Sequence, residues 1–157
     1  MTLEELIEEF DELPDWEDRC DMLIDMGMEL PKLAPDEKVE ANRVYGCQNN
    51  VWVITQLQGD AAHPVLSIRA NSDGYISGGL VAIVIAMYDG KSPREILDTD
   101  FAAIFERLGV GKHLEMQRKN GLGKMVQRVR QKAAEALVEL ESGTTVNPAS
   151  NPPTCGA

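Results

Sequence analysis

The thiols and imidazoles of the chain are few: Cys20, Cys47, Cys155, His63 and His113. Among them Cys47 has the neighbours that suggest chemistry. It lies in Val44-Tyr45-Gly46-Cys47-Gln48-Asn49-Asn50-Val51-Trp52, where Gly46 permits unusual backbone angles and three amide side chains follow the thiol. A turn of this kind carries sulfur near the surface among neutral hydrogen-bond donors. Donors favour the ionised form without adding fixed charge, and the thiolate is the form that attacks. The competing reading is that an isolated cysteine is a small buried hydrophobe. Residue chemistry alone leaves both open.

The other candidates carry less. Cys20 sits on an apolar helical stripe and is expected to pack. Cys155 lies in a polar tail, where an incidental thiol is a simpler reading than a resolving partner for Cys47 in a redox enzyme. No Cys or His pair has metal-ligand spacing, and an iron–sulfur scaffold needs several thiolates, so no metal is expected. Nucleotide-binding glycine loops and the G-x-S-x-G elbow are missing from the sequence. His113 is a candidate base for a thiol, set against an ordinary surface histidine. Six bases and no acid fall between Arg118 and Lys132. Most should solvate the outer face of a long helix. Arg118 is expected before that helix, in a glycine-containing loop, free to reach elsewhere.

The elements that must position these groups follow from spacing. Thr2 and Glu5 form a capping box, and Leu3, Leu6, Ile7, Phe10 and Leu13 recur at helical intervals. Pro14 ends this helix, and Asp15 can cap a second whose face carries Trp16, Cys20, Leu23, Ile24 and Leu30. Pro31 and Pro35 open a linker. Arg43–Gly46 is a short extended candidate, Val51–Leu57 a strand, and Val65–Asn71 its hairpin partner, with Leu66, Ile68 and Ala70 alternating against Ser67 and Arg69. Ser72-Asp73-Gly74 makes a turn able to cap the apolar helix at 76–88. That run of 13 residues is well short of the ~20 that a membrane span needs. Its Gly78-Gly79 pair suits close helix packing. Ser92-Pro93-Arg94-Glu95 starts another helix, a further one spans Phe101 to Leu108, and Leu122, Met125, Val126, Val129, Ala133, Ala136, Leu137 and Leu140 mark a long last one. The pattern is α+β: a small antiparallel sheet of about three strands, packed by helices from both ends of the chain. We expect one domain over 1–141 and a flexible polar tail over 142–157, where Pro, Gly, Ser, Thr and Asn fill 12 of 16 positions.

With 157 residues, the chain can bury a core without disulfide staples. Its net charge of −11 is unevenly spread: residues 1–40 hold 15 acids against three bases. Such a surface disfavours a duplex-binding role and suits solubility or steering toward a basic partner. Three cysteines make no complete disulfide set, and no basic leader precedes an apolar stretch. A cytoplasmic location is therefore expected.

The stretch Asn42-Arg43-Val44-Tyr45-Gly46-Cys47-Gln48, followed by Val51-Trp52, resembles the SufE family of sulfur-accepting proteins. Asn71-Ser72-Asp73-Gly74 with Ile76 and Gly79-Leu80 looks like its second motif. Phe105-Glu106, His113-Leu114 and Arg118 with Gly121-Leu122 look like its third, and Asp15-Trp16-Glu17, Met26-Gly27 and Leu30-Pro31 also fit. Asn49 stands where the family commonly has serine. The resemblance implies a SufE/IscU-like fold. It also implies a covalent carrier that takes persulfide sulfur from a SufS-type cysteine desulfurase onto Cys47, stimulates that enzyme, and passes sulfur toward an iron–sulfur cluster scaffold. Gly46 and Gln48 frame the acceptor in this reading. Asp73, Glu106, His113 and Arg118 surround the loop or bind the desulfurase, although Asp73 has an equally good role as a helix N-cap. The chain would need no cofactor of its own, since pyridoxal phosphate belongs to the partner. The alternatives are a CsdE-like paralogue feeding another pathway, such as tRNA modification, and a non-carrier allosteric activator.

Overall fold

The Thr2–Glu5 capping box forms as expected: Glu5 N–H donates to Thr2 Oγ1 at 3.2 Å and Thr2 N–H to Glu5 Oε1 at 2.8 Å. It starts helix α1 (Leu3–Glu12), in a computed structural model that describes residues 2–142. Beyond Pro14, α2 (Trp16–Glu29) begins at Asp15, whose side chain makes no cap bond. Short 3₁₀ turns at Pro35–Glu37 and Glu40–Asn42 lead into a hairpin of β1 (Val51–Gln58) and β2 (Val65–Ser72). Helices α3 (Tyr75–Tyr88), α4 (Pro93–Asp98), α5 (Phe101–Leu108) and α6 (Met116–Glu141) complete the α+β fold.

Hairpin register puts Val53 opposite Ala70 and Leu57 opposite Leu66, so the alternating apolar set of each strand faces the same side. Val51, Val53, Leu66, Ile68 and Ala70 are all buried against the helices. A third strand at Arg43–Gly46 does not form. Among the described residues the sheet has two strands, and that segment contributes one bridge, Arg43 to Trp52, with Val44 N–H bonded to Val51 O at 2.9 Å. The chain turns at Tyr45 and Gly46, where φ of +94° takes it out of the ladder. At the other edge, Leu66 bridges to Lys91, and the Asp89 carboxylate accepts from Ile68 N–H at 2.8 Å.

Helix α3 is buried along nearly all its length and packs closely on α2. The approach depends on glycine. A Cβ on Gly27 would lie 2.5 Å from the Gly78 carbonyl carbon, and one on Gly79 would lie 2.6 Å from Leu23 O. Asn71 ties the proline linker to the sheet: its Oδ1 accepts from Leu33 N–H at 2.7 Å and its Nδ2 donates to Pro31 O at 2.9 Å. The last helix closes the core with Leu122, Met125, Val126, Val129, Ala133 and Ala136. It begins at Met116, earlier than its apolar stripe predicts. Gly121 and Gly123 read as loop punctuation, yet continuing the helix is what buries Leu122 against the core. Arg118 is thus a first-turn helical residue and not a free loop cation. Apart from Ser142, which caps α6, the tail expected at 142–157 lies outside the described residues. Among those residues no helix is long and apolar enough to cross a membrane.

Candidate functional site

Cys47 sits on the turn between the Arg43 bridge and β1, and α6 decides its surroundings. Its Sγ donates to the Gly121 carbonyl at 3.5 Å. Glycine at 121 lets the turn lie this close: a Cβ there would sit 3.1 Å from Cys47 Cα and 3.3 Å from Sγ, so the turn would have to shift by a few tenths of an ångström. The thiol is half-buried, and burial pushes its pKa up, with the nearby Arg43 charge pulling weakly the other way. The expected ring of thiolate-favouring amides is therefore corrected. In this seat the sulfur is itself a donor, to a carbonyl, and the protonated form is favoured.

Two of the three amides instead hold the turn. Asn49 Oδ1 accepts from the buried Ser77 hydroxyl at 2.8 Å and covers Gly74, where a Cβ would come within 2.3 Å of the amide. Asn50 donates its backbone N–H to Asp73 Oδ1 at 3.0 Å and its side-chain amide to Oδ2 at 2.7 Å, and Asp73 N–H returns a bond to Asn50 O at 3.2 Å. The Asp73 carboxylate is thus committed to the Cys47 turn, and Gly74, without a side-chain cap, takes the N-cap position of α3. Gln48 is exposed. On the outer side the Lys124 stem crosses Gly46, where a Cβ would lie 2.9 Å from Lys124 Cγ. The Arg43 guanidinium stacks 4.9 Å from the Tyr45 ring centroid, and Arg128 donates to Arg43 O at 2.8 Å.

None of the remaining candidates hydrogen-bonds the sulfur. His113 is exposed and stacks on Trp16, ring centroids 4.6 Å apart and nearly parallel, so it is not placed as a base for Cys47. Glu106 stands on the rim of a groove between α5 and α6. Arg118 lies one turn before Gly121, where its charge acts on Cys20, whose half-buried thiol is pushed up in pKa chiefly by burial. Among the described residues no group of three or more His, Cys, Asp or Glu side chains could hold a metal ion. Sequence reasoning missed Gly121, Ser77 and Lys124 as parts of the acceptor's setting. A serine inside an otherwise apolar helix was the available sign for Ser77, and Gly121 stood in the third family motif without a role beside the sulfur; nothing local marked Lys124.

Fold and turn together define a small α+β protein that presents one thiol on a braced, glycine-hinged turn. Comparison with known proteins gives this class its name: the chain belongs to the SufE family, whose model, described as an Fe–S metabolism associated domain, matches residues 4–133. It is 42% identical over 132 residues to a SufE-like protein of Rhizobium etli, covering 84% of this chain and 89% of that one. A SufE-like protein of Rhizobium meliloti is 39% identical over 136 residues, covering 87% and 97%. In fold the chain is similar to the solution structure of a hypothetical protein from Thermus thermophilus, with a TM-score of 0.69, 21% identity and coverage of 88% and 99%.

Proposed function

We propose that Cys47 accepts sulfur from the persulfide of a SufS-type cysteine desulfurase in the cytoplasm and passes it on for iron–sulfur cluster assembly. The observation that carries this reading is the seat of Cys47: half-buried, braced through Asn49 and Asn50, and held by one long hydrogen bond to Gly121 O. Such a seat shelters sulfur at rest and releases it when the turn lifts. The Cys47 thiolate attacks the terminal sulfur of the donor's R–S–SH. The donor S–S bond breaks with its electron pair leaving on R–S⁻, Cys47–S–SH forms, and the proton lost by Cys47 is balanced by protonation of R–S⁻. No net oxidation occurs, and no cofactor on this chain is required. Pyridoxal phosphate on the partner extracts the sulfur from cysteine.

Because the resting thiol is held protonated, the partner must bias the turn toward an open state in which Cys47 ionises. Gly46 supplies the hinge. Asp73 anchors the base of the turn through Asn50. Glu106, His113 and Arg118, which make no hydrogen bond to the sulfur, serve partner contact.

The test is incubation with the organism's own desulfurase, cysteine and pyridoxal phosphate, followed by intact mass measurement without reductant. A gain of one sulfur atom, lost on reduction and missing in Cys47→Ser, is expected. Equal stimulation of the desulfurase by Cys47→Ser, with no sulfur gained by the wild type, overturns the carrier role in favour of an activator.

A further inference from the structure

A groove of about 510 Å³ opens between α5, the turn at 110–112 and the first turns of α6. Phe101, Phe105, Leu114 and Leu122 give it an apolar floor, and Gly111 and Gly123 open its wall. A second hollow of about 480 Å³ shares Phe101 and Gly123 with the first and continues along α6 to Gln127 and Gln131. Those glutamines also line a third, of about 230 Å³, whose far wall is Val44 and Tyr45 beside Cys47. The three hollows form one belt along the outside of α6 that ends at the acceptor turn. At 1.5 Å per residue, the stretch from Lys119 to Gln131 is about 18 Å long, room for some three turns of a facing helix.

Two features identify what fits there. Charge is the first. The chain as a whole carries −11, yet the belt is lined by five bases, Lys112, Lys119, Lys124, Arg128 and Arg130, and one acid, Glu106. The occupant that complements it is acidic on one face and apolar on the other. The second feature is Gly123. Gly121 is explained by Cys47, but among the described residues a Cβ built on Gly123 or on Gly111 would face open space, with no neighbour within 4 Å beyond the adjoining backbone. Glycine is among the poorest helix formers, so Gly123 weakens α6 although a Cβ there would crowd no packed neighbour within the described chain. Close approach by another backbone is a use that only glycine serves.

We propose that this belt is the docking groove for an acidic amphipathic helix of the sulfur-donating enzyme. The helix seats its apolar anchors between Phe101 and Leu122 and turns its carboxylates toward the exposed Lys112, Lys119 and Lys124, since Arg128 and Arg130 already donate to the main-chain carbonyls of Arg43, Ile96 and Leu97. The identity of the partner rests on the carrier reading above. The belt adds where the partner grips, on α6, so that the donor sulfur arrives from the Tyr45 side of the turn.

Gly123→Met tests it, because methionine fills the junction of the two larger hollows and favours the helix. In calorimetric titration with the desulfurase, Gly123→Met should bind at least about tenfold more weakly than wild type. It should melt no lower, and its Cys47 should take sulfur from a small-molecule persulfide at the wild-type rate. Lys119→Glu should slow association several-fold at low salt, with the gap closing as salt rises. Wild-type affinity in Gly123→Met overturns the groove and leaves the carrier reading standing. If wild-type Cys47 gains no sulfur while Gly123→Met still weakens binding, the carrier reading falls and the groove stands. A wild-type chain that does not bind the desulfurase overturns both, and a wild-type dimer that Gly123→Met splits assigns the belt to a second copy and overturns the donor-helix proposal.

Discussion

Replacing Asn49 by alanine asks whether the Cys47 turn is a catch that can open. In the closed turn Asn49 accepts from Ser77 Oγ at 2.8 Å, and Ser77 is only 3% exposed. Removing the acceptor strands that hydroxyl away from water, and a buried polar group without its partner costs about 1–3 kcal/mol. The cost falls on the closed state alone, because a lifted turn separates Ser77 from residue 49 in both proteins. The open population should then rise about 5- to 150-fold, the ratio that corresponds to that energy. The assay is the rate of Cys47 alkylation by iodoacetamide without any partner, read by peptide mass spectrometry so that Cys20 and Cys155 do not contribute. Asn49→Ser, which keeps an oxygen acceptor, should fall between alanine and wild type. An alanine variant that melts like wild type and whose Cys47 is alkylated within about twofold of the wild-type rate would refute the reasoning, since the smallest expected rise is about fivefold. The turn would then be held by something other than this hydrogen bond.

Other expectations follow from the same contacts. Burial raises the Cys47 pKa, so the closed seat favours the protonated thiol; closing is strongest below the ordinary thiol pKa and weakens as pH rises through the raised value. Partner-free alkylation should keep climbing with pH past the point where a free cysteine levels off, and a plateau at the free-cysteine position would refute the burial account. Gly27→Ala should destabilise the fold by about 1–3 kcal/mol, because its Cβ would meet the Gly78 backbone at 2.5 Å and force α2 from α3; denaturant midpoints measure it. Asn71→Ala should cost about 1–3 kcal/mol by leaving the buried Leu33 N–H unpaired, read as a lower melting temperature.

Much of the fold was legible because the local signals agree with the global packing. The Thr2–Glu5 and Ser92–Glu95 boxes, the hairpin at 51–72 and the apolar helix at 76–88 form close to where spacing places them. Errors cluster where the decisive contact is distant in sequence. Asp73 looks like a helix cap because the turn before α3 needs one, yet Asn50, 23 residues away, takes its carboxylate. Arg118 looks like a loop residue because two glycines follow it, yet α6 runs through them. The amides after Cys47 look like ligands for sulfur, but two of them brace the turn against the start of α3.

Residue type and period alone place Cys47 on a glycine-hinged turn before a strand, and they require helices from both ends to cover a small sheet. Signals of that kind act over a few neighbours. The surroundings of the sulfur come instead from long-range packing: a carbonyl of α6 beside it, a serine of α3 bracing its turn, and a cationic groove leading to it. None of these partners lies within a helical turn or a hairpin of Cys47 in the chain, so no local pattern encodes them. They meet only because the core draws α3 and α6 against the same hairpin.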